Sequence, residues 1–331
     1  MADRIRWGIA GTGGIAAAFA EDLKLLPDAE LVAVGSRSQA SADAFGDRFD
    51  IPHRHVGYPA LAADPEVDAV YVAVPHTGHR EAALAAIAER KAVLVEKPFT
   101  VNAAEAEEMI TAARAAGAFL MEAMWVRFLP HFVHVRELLA EGRIGEVRAV
   151  ISDRGENLST DPLHRINNPE LGGGALLDLG IYPVSFASMA TGGRLPERVE
   201  AVGRMTTDTG VDAHASMIFV YPGGAHGVIS TSLDARSANA AAINGTEGRI
   251  LVPEPWGRTS PVQLITNDGG SVTKSLPHQG HGLRHQAAEL GRLLREGLTQ
   301  SPVIPLDETL AIMRTLDLVR ERIGLRYPGD A

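Results

Sequence analysis

Cysteine is absent from the 331-residue chain. That excludes disulfides, thiolate nucleophiles and thiolate-held zinc, and it fits a reducing compartment, so the expected location is the cytoplasm. Aromatic residues make up only 5% of the chain. Positive charge is in deficit: 31 Lys and Arg stand against 41 Asp and Glu, a formal net charge of −10. A general nucleic-acid binder needs the opposite balance, although local basic pockets for a phosphorylated small molecule stay open. No stretch has the length and apolarity of a membrane span. The uncharged run at residues 7–20, behind Arg4 and Arg6, loosely imitates a targeting segment. Gly8, Gly11, Gly13 and Gly14 interrupt it and Glu21 and Asp22 follow at once, so it reads as the start of the fold. What is present is 45% hydrophobic content and a length sufficient for two ordinary domains.

The first of these domains opens on a dinucleotide fingerprint. Residues 4–10 read as a strand, and Gly11-Thr12-Gly13-Gly14-Ile15-Ala16 forms a G-x-G-x-x-A turn. Ile15, Phe19 and Leu23 then repeat at helical spacing. In that context Gly11 permits the tight turn and Gly13 lets backbone approach a pyrophosphate, while the helix start supplies N–H groups. The second strand, residues 30–35, tells which cofactor. An NAD-preferring site usually places Asp or Glu at its end, to hold the ribose 2′-hydroxyl. Here Ser36-Arg37-Ser38 carries no acid, and Arg37 is suited to a 2′-phosphate. NADP is therefore the expected cofactor, NAD the less favoured one. Ser38 or Ser41 can equally cap the following helix.

A further strand at residues 68–74 breaks at Pro75-His76-Thr77-Gly78-His79. His79 either hydrogen-bonds a ligand or caps the helix it opens. Residues 92–95, Ala-Val-Leu-Val, then deliver Glu96, Lys97 and Pro98 at the carboxyl end of a buried strand. Open α/β sheets place their ligands there, and Pro98 permits a cis bond after Lys97. Glu96 either lines the cofactor ribose or pairs with a neighbour. Asn102 and Glu105 look like a capping pair for a helix that ends at Gly117. Strands alternating with helices up to residue 123 predict a doubly wound parallel sheet.

Beyond residue 123 the rhythm changes. An aromatic connector, residues 124–130, leads to a helix and then to strands at about 145–152, 198–206, 213–221, 227–233, 241–245, 249–252 and 262–266. Glycine-rich turns divide them, which predicts an α+β domain with an open, mostly antiparallel sheet over residues 124–331. One helix interrupts it, behind Gly172-Gly173-Gly174. Asp178 and Tyr182 stand four apart on it and so share a face that is otherwise apolar. Either they form a catalytic pair or the tyrosine hydroxyl is tied to a buried carboxylate.

The G-x-G-x-x-A turn, Glu96-Lys97-Pro98 and the Gly-Gly-Gly-x-x-x-Asp-x-Gly-x-Tyr string together resemble the Gfo/Idh/MocA oxidoreductase family. Residues 121–128, Met-Glu-Ala-Met-Trp-Val-Arg-Phe, and 301–306, Ser-Pro-Val-Ile-Pro-Leu, resemble its branch of dihydrodiol and NADP–D-xylose dehydrogenases. The resemblance implies an NAD(P)-binding Rossmann domain and a second domain whose sheet often forms a homodimer or homotetramer interface. It implies Lys97 and Tyr182 as catalytic residues, with His79, Trp125, Arg127 and Asp178 toward the substrate. The expected reaction is reversible hydride transfer between nicotinamide and a sugar, polyol or dihydrodiol carbinol, at a site between the domains. Tyr182 takes the hydroxyl proton. A free phenol titrates near ~10, so Lys97 is expected to favour the phenolate. No metal-ligand set is visible in the sequence. A glycosidase-like use of bound NAD, known among relatives, and a non-catalytic NADP sensor are the alternatives.

Overall fold

The structure, a computed structural model, describes residues 4–328. The chain divides into two units: residues up to 125 together with 279–309, and residues 126–278 together with those from 310 onward.

The first unit alternates strand and helix: β1 (Ile5–Ala10), α1 (Gly14–Leu23), β2 (Ala29–Ser36), α2 (Gln39–Phe49), β3 (His53–Val56), α3 (Tyr58–Ala62), β4 (Ala69–Val72), α4 (His79–Ala88), β5 (Ala92–Glu96), α5 (Ala103–Ala116) and β6 (Leu120–Ala123). The strands are parallel and lie in the order β3-β2-β1-β4-β5-β6. This is the doubly wound order, with its switch point between β1 and β4. Central strands with both faces covered read as unbroken apolar runs, and every residue of β4 and β5 is buried. Phe19 on α1 stacks on Tyr71 of β4 at 3.8 Å and meets Trp7 of β1 edge-on at 5.3 Å. The Asn102 side chain accepts the Glu105 amide at 2.9 Å, and Gly117 closes α5 with φ of 63°, as the capping signals predict. Strand β3 was not foreseen, because His-Arg-His-Val offers a single apolar residue and no period to read.

The second unit contains α6 (Pro130–Ala140), β7 (Val147–Gly155), a π-helical turn (Leu176–Gly180), α7 (Ile181–Ala190), β8 (Arg198–Met205), β9 (Asp212–Val220), β10 (His226–Ser232), β11 (Ala241–Gly245), β12 (Gly248–Val252), β13 (Val262–Thr266) and β14 (Ser271–Lys274). The sheet order is β14-β13-β12-β11-β7-β10-β9-β8. Every pairing is antiparallel except that of β7 with β10. The edge strand β14, exposed at all its residues, has no apolar face to betray it. One face of the sheet packs against α7. Phe132, Phe186 and Trp256 cluster in this unit with centroids 5.6 to 5.8 Å apart. Elsewhere the sheet exposes apolar side chains: Ile151, Val202, Ile218 and Val228 are 50%, 72%, 47% and 43% exposed.

The expected boundary, with everything after residue 123 in the second domain, needs correction. Residues 279–309, including α8 (Arg284–Arg295), return to the first unit. The Asp22 carboxylate of α1 accepts the amides of His281 and Arg284 at 2.7 and 3.1 Å, and the Leu120 amide of β6 donates to the Thr299 carbonyl at 3.1 Å. An apolar stripe such as that of α8 announces a buried face but not the body that buries it. The last helix, α9, runs over Leu306–Ile323. Among the described residues no helix is long and apolar enough to cross a membrane.

Candidate active site

The glycine turn after β1 has one closed and one open side. Gly11 adopts φ of +113°, and a Cβ there would lie 2.5 Å from the Ala73 carbonyl oxygen, so only glycine lets β1 turn this close to the end of β4. At Gly13 and Gly14 an added Cβ would meet nothing within 4 Å. Gly13 caps α1 without a side-chain bond, and no acid stands in the first turn. The first amides of α1, from Gly14 and Ile15 onward, therefore face open space at the positive end of the helix, a cradle that fits a pyrophosphate.

At the end of β2 Ser36 is buried, while Arg37 and Ser38 are exposed. Ser38 does cap α2: its hydroxyl oxygen accepts the Ser41 amide at 3.3 Å. Arg37 lies near Tyr58, where burial raises the phenol above its ordinary pKa and the guanidinium opposes that rise. No carboxylate follows β2 directly, so the residues fit a 2′-phosphate better than a bare ribose.

Pro75 leads into a single 3-10 turn, His76–Gly78. His76 is buried and meets His79 edge-on at 5.7 Å. His79 is fully buried. Its Nε2 lies 3.1 Å from the Val74 carbonyl, and its Nδ1 lies 3.0 and 3.3 Å from those of Pro98 and Phe99. Burial, reinforced by Lys97, pushes its pKa down to about 4 against the pull of those carbonyls. The neutral ring has a single N–H and donates it to a backbone carbonyl on one of these two sides, and the ring packs between the end of β4 and the segment that follows Lys97.

The Lys97–Pro98 bond is cis. Glu96, buried at the end of β5, accepts a hydrogen bond from the Tyr71 hydroxyl through Oε1 and the Lys97 amide through Oε2 at 3.1 Å. Lys97 itself is only partly buried. Glu96 thus pairs with a neighbour, Tyr71 of β4. Trp125, partly buried, opens a 3-10 turn that ends at Phe128. Arg127 is 1% exposed. Its guanidinium donates to the Ser185 hydroxyl at 3.0 Å and carbonyl at 2.6 Å, which gives it a structural task in the second unit that the sequence did not announce.

Asp178 and Tyr182 lie where a π-helical turn passes into α7. The Ile181 amide reaches back to the Leu176 carbonyl, five residues away. This wider turn replaces the even α-helix assumed from the spacing, and such insertions recur at functional sites. Three groups hold it. Asp212 Oδ2 accepts the Leu176 amide at 2.6 Å, the Thr231 hydroxyl donates to the Ala175 carbonyl at 3.3 Å, and the Tyr327 hydroxyl donates to the Gly173 carbonyl at 2.6 Å. Gly174 has φ of +118°, and a Cβ there would lie 2.1 Å from Asp212 Oδ1, which explains the glycine run before the turn. Burial pushes the Asp212 carboxyl up to about 7, against the Leu176 amide, its own amide and Arg320.

Two arginines missed from the sequence complete this part of the site. Arg165 pairs with Asp178 at 3.3 Å. The Arg154 guanidinium lies 5.7 Å from the centre of the Tyr182 ring, within cation–π range. Arg154 stands near the end of β7, paired with Thr231 of β10 and beyond the strand expected at 145–152, and Arg165 opens a short 3-10 turn after it; no periodicity points to a role for either. Asp178 is buried and Tyr182 partly buried, so this unit presents a phenol and a carboxylate, each beside a guanidinium.

Comparisons with known proteins bear on both units. The model of an oxidoreductase family with an NAD-binding Rossmann fold matches residues 5–124, and that of the GFO/IDH/MocA C-terminal domain matches residues 132–251. A trans-1,2-dihydrobenzene-1,2-diol dehydrogenase of Bos taurus is 39% identical over 338 residues, covering 98% of this chain and 99% of its own. The Homo sapiens enzyme of that name is 38% identical over 337 residues, with the same coverage. Among solved structures, an aldose-aldose oxidoreductase from Caulobacter crescentus, complexed with glycerol, superposes with a TM-score of 0.87 at 25% identity over 96% of this chain and 97% of that one. A 3-ketoreductase from Actinomadura kijaniata, in complex with NADP and TDP-benzene, gives 0.84 at 27% identity over 97% and 98%.

Proposed function

Because the chain belongs to the Gfo/Idh/MocA oxidoreductase family, we propose that it is an NADP-dependent dehydrogenase acting on a ring-borne carbinol, a dihydrodiol or a sugar. The observation that carries the cofactor choice is the Ser36-Arg37-Ser38 end of β2, which offers a guanidinium and no carboxylate. The names of its relatives support the substrate class: a dihydrodiol dehydrogenase, an aldose-aldose oxidoreductase and a 3-ketoreductase.

The nicotinamide, when bound, supplies the hydride acceptor. The first turn of α1 binds the pyrophosphate and Arg37 the 2′-phosphate. Tyr182 takes the carbinol proton at its Oη as the substrate is oxidised, and returns it in the reverse direction. Lys97 offsets the negative charge that develops there. Asp178, held by Arg165, orients a neighbouring substrate hydroxyl. His79 and Glu96 serve by fixing the backbone on either side of Lys97.

The test is initial rates at 340 nm with NADP and with NAD over trans-dihydrodiols, aldoses and inositols. Lys97→Met and Tyr182→Phe are each expected to lower kcat at least 100-fold, in the range of general acid–base contributions. Turnover within a few-fold of the parent in both variants would remove the assignment.

We also propose that a second copy of the chain covers the apolar row on the eight-stranded sheet, making a homodimer or a tetramer built from it. Ile151, Val228 and Ile218 stand in register across β7, β10 and β9. All three are exposed, and an apolar row of this kind across adjacent strands is a common mark of an interface.

A further inference from the structure

His53 and His55 alternate on β3 and therefore point to the same side of the strand. Asp64, which follows α3, meets both. His53 Nδ1 and His55 Nε2 lie 2.7 and 2.8 Å from the same oxygen, Asp64 Oδ2. One ligand atom from each residue falls within 4.8 Å of the other two. The carboxylate is fixed from behind. Its Oδ1 accepts the Glu66 amide at 2.8 Å, and the Lys91 ammonium donates to the Asp64 and Val67 carbonyls at 2.9 and 2.7 Å. Asp64 is buried, whereas the His53 and His55 side chains are 39% and 25% exposed. Burial opposes ionisation of Asp64, but the Glu66 amide and the two imidazoles outweigh it and hold the carboxyl down to about 2. The cluster thus gathers one buried carboxylate and two partly exposed imidazoles about a single oxygen.

We propose that His53, His55 and Asp64 bind a divalent transition-metal ion, with zinc as the reference case, at a site apart from the catalytic residues. Two imidazoles and one carboxylate suit zinc, nickel, cobalt and copper. Magnesium and calcium demand more oxygen ligands than the cluster holds. An ion about 2.1 Å from each ligand needs the ligand atoms about 3.4 Å apart. The two N···O separations must open by about 0.6–0.7 Å, which rotation of partly exposed imidazoles on an edge strand permits. The protons that now point at Asp64 Oδ2 move to the opposite ring nitrogens, which have no protein partner among the described residues. The exposed side leaves the remaining coordination to water. An ion held here ties the edge strand β3 to the connection between α3 and β4, and so binds the folded chain and not the unfolded one. The pair escapes sequence reading because β3 itself does.

The experiment is calorimetric titration of the EDTA-treated, dialysed protein with zinc chloride at pH 7.5. One ion per chain with a Kd in the micromolar range is expected. A hundredfold excess over Kd should raise Tm by about 5 °C. His53→Gln and His55→Gln, both outside the proposed catalytic and cofactor-binding residues, should each weaken binding at least tenfold while leaving the metal-free Tm within a few degrees of the parent. Magnesium chloride should give no heat. No binding tighter than about 100 µM in the parent overturns the proposal. So does affinity in both variants equal to that of the parent, which would place the ion on other residues.

Discussion

The Tyr71 hydroxyl donates a hydrogen bond to the Glu96 carboxylate between the neighbouring strands β4 and β5. The same Tyr71 ring stacks on Phe19, so one side chain joins the apolar core to the acid that precedes Lys97. Tyr71→Phe keeps the stacking and removes the donor. A buried carboxylate that loses a hydrogen-bond partner costs about 1–3 kcal/mol. Urea unfolding should therefore show an unfolding free energy lowered by that amount, read as a lower midpoint at an unchanged m-value. A variant as stable as the parent would mean that this bond contributes nothing net.

His79 links stability to pH in a definite window. Its folded-state pKa, about 4, lies below the ordinary value of 6.5. A depressed pKa means that the neutral ring stabilises the fold above 6.5, and that this contribution fades as pH falls toward 4. The full effect is about 3 kcal/mol for a group with no exposure to discount. Urea midpoints measured from pH 7.5 to 4.5 should fall more steeply for the parent than for His79→Asn. Parallel curves would show that the ring takes up its proton equally in the folded and unfolded chain, with no depression on folding.

Asp212 has the opposite sign. Its folded-state pKa is raised from 3.8 to about 7. The protonated acid suits its site, so stability present below 3.8 is lost as pH rises through 7. Asp212→Asn removes the ionisation and keeps an acceptor for the Leu176 amide. The variant should gain on the parent by several kcal/mol between pH 5 and pH 8.5, since every tenfold change in an acid's ionisation constant corresponds to about 1.36 kcal/mol. If the difference between variant and parent is the same at both pH values, the carboxyl is not the group that titrates.

These residues also show what the sequence discloses and what it hides. The glycine turn, the Asn102 cap and the apolar strands were legible because each rests on local chemistry: a φ, a side-chain acceptor, a period. The parallel, doubly wound character of the first sheet followed from the alternation of strands and helices, whereas the place of β3 at its edge did not. Three features of the candidate site were not legible. His79 sits at a strand-to-helix switch as a ligand-binding histidine would, yet its partners, Val74 and Pro98, are set by tertiary packing. The π-turn at Leu176–Gly180 leaves the Asp178–Tyr182 spacing unchanged on paper and alters only the hydrogen-bond ladder beneath it. Arg154 and Arg165 belong to a segment whose long-range partners carry no periodic mark.

Arg37 allows the cofactor preference to be tested apart from catalysis. Arg37→Ala removes the only cation of the Ser36-Arg37-Ser38 segment. A charge-assisted hydrogen bond contributes about 1.5–3 kcal/mol, and each 1.4 kcal/mol is tenfold. The Kd for NADP, read by quenching of tryptophan fluorescence, should rise between about tenfold and a hundredfold, with that for NAD nearly unchanged. Equal losses for both cofactors would point to general damage of the turn, and no loss for NADP would remove Arg37 from the site.

The proposed pairing of two copies depends on a small number of side chains. Val228 stands between Ile151 and Ile218 in the sheet register, with Val202 on the adjoining strand. All are exposed in the single chain, so charging them leaves its own core intact. Ile218→Glu combined with Val228→Glu sets four carboxylates against one another across a twofold interface, since each patch faces its own copy. Buried like charges without partners are among the costliest changes an interface can meet. Light scattering after gel filtration should therefore give a multiple of 35.2 kDa for the parent and a single-chain mass for the double variant, with the far-UV spectrum unchanged. A parent that runs as a single chain at micromolar concentration, or a double variant that keeps the parent's mass, would exclude this face as the interface.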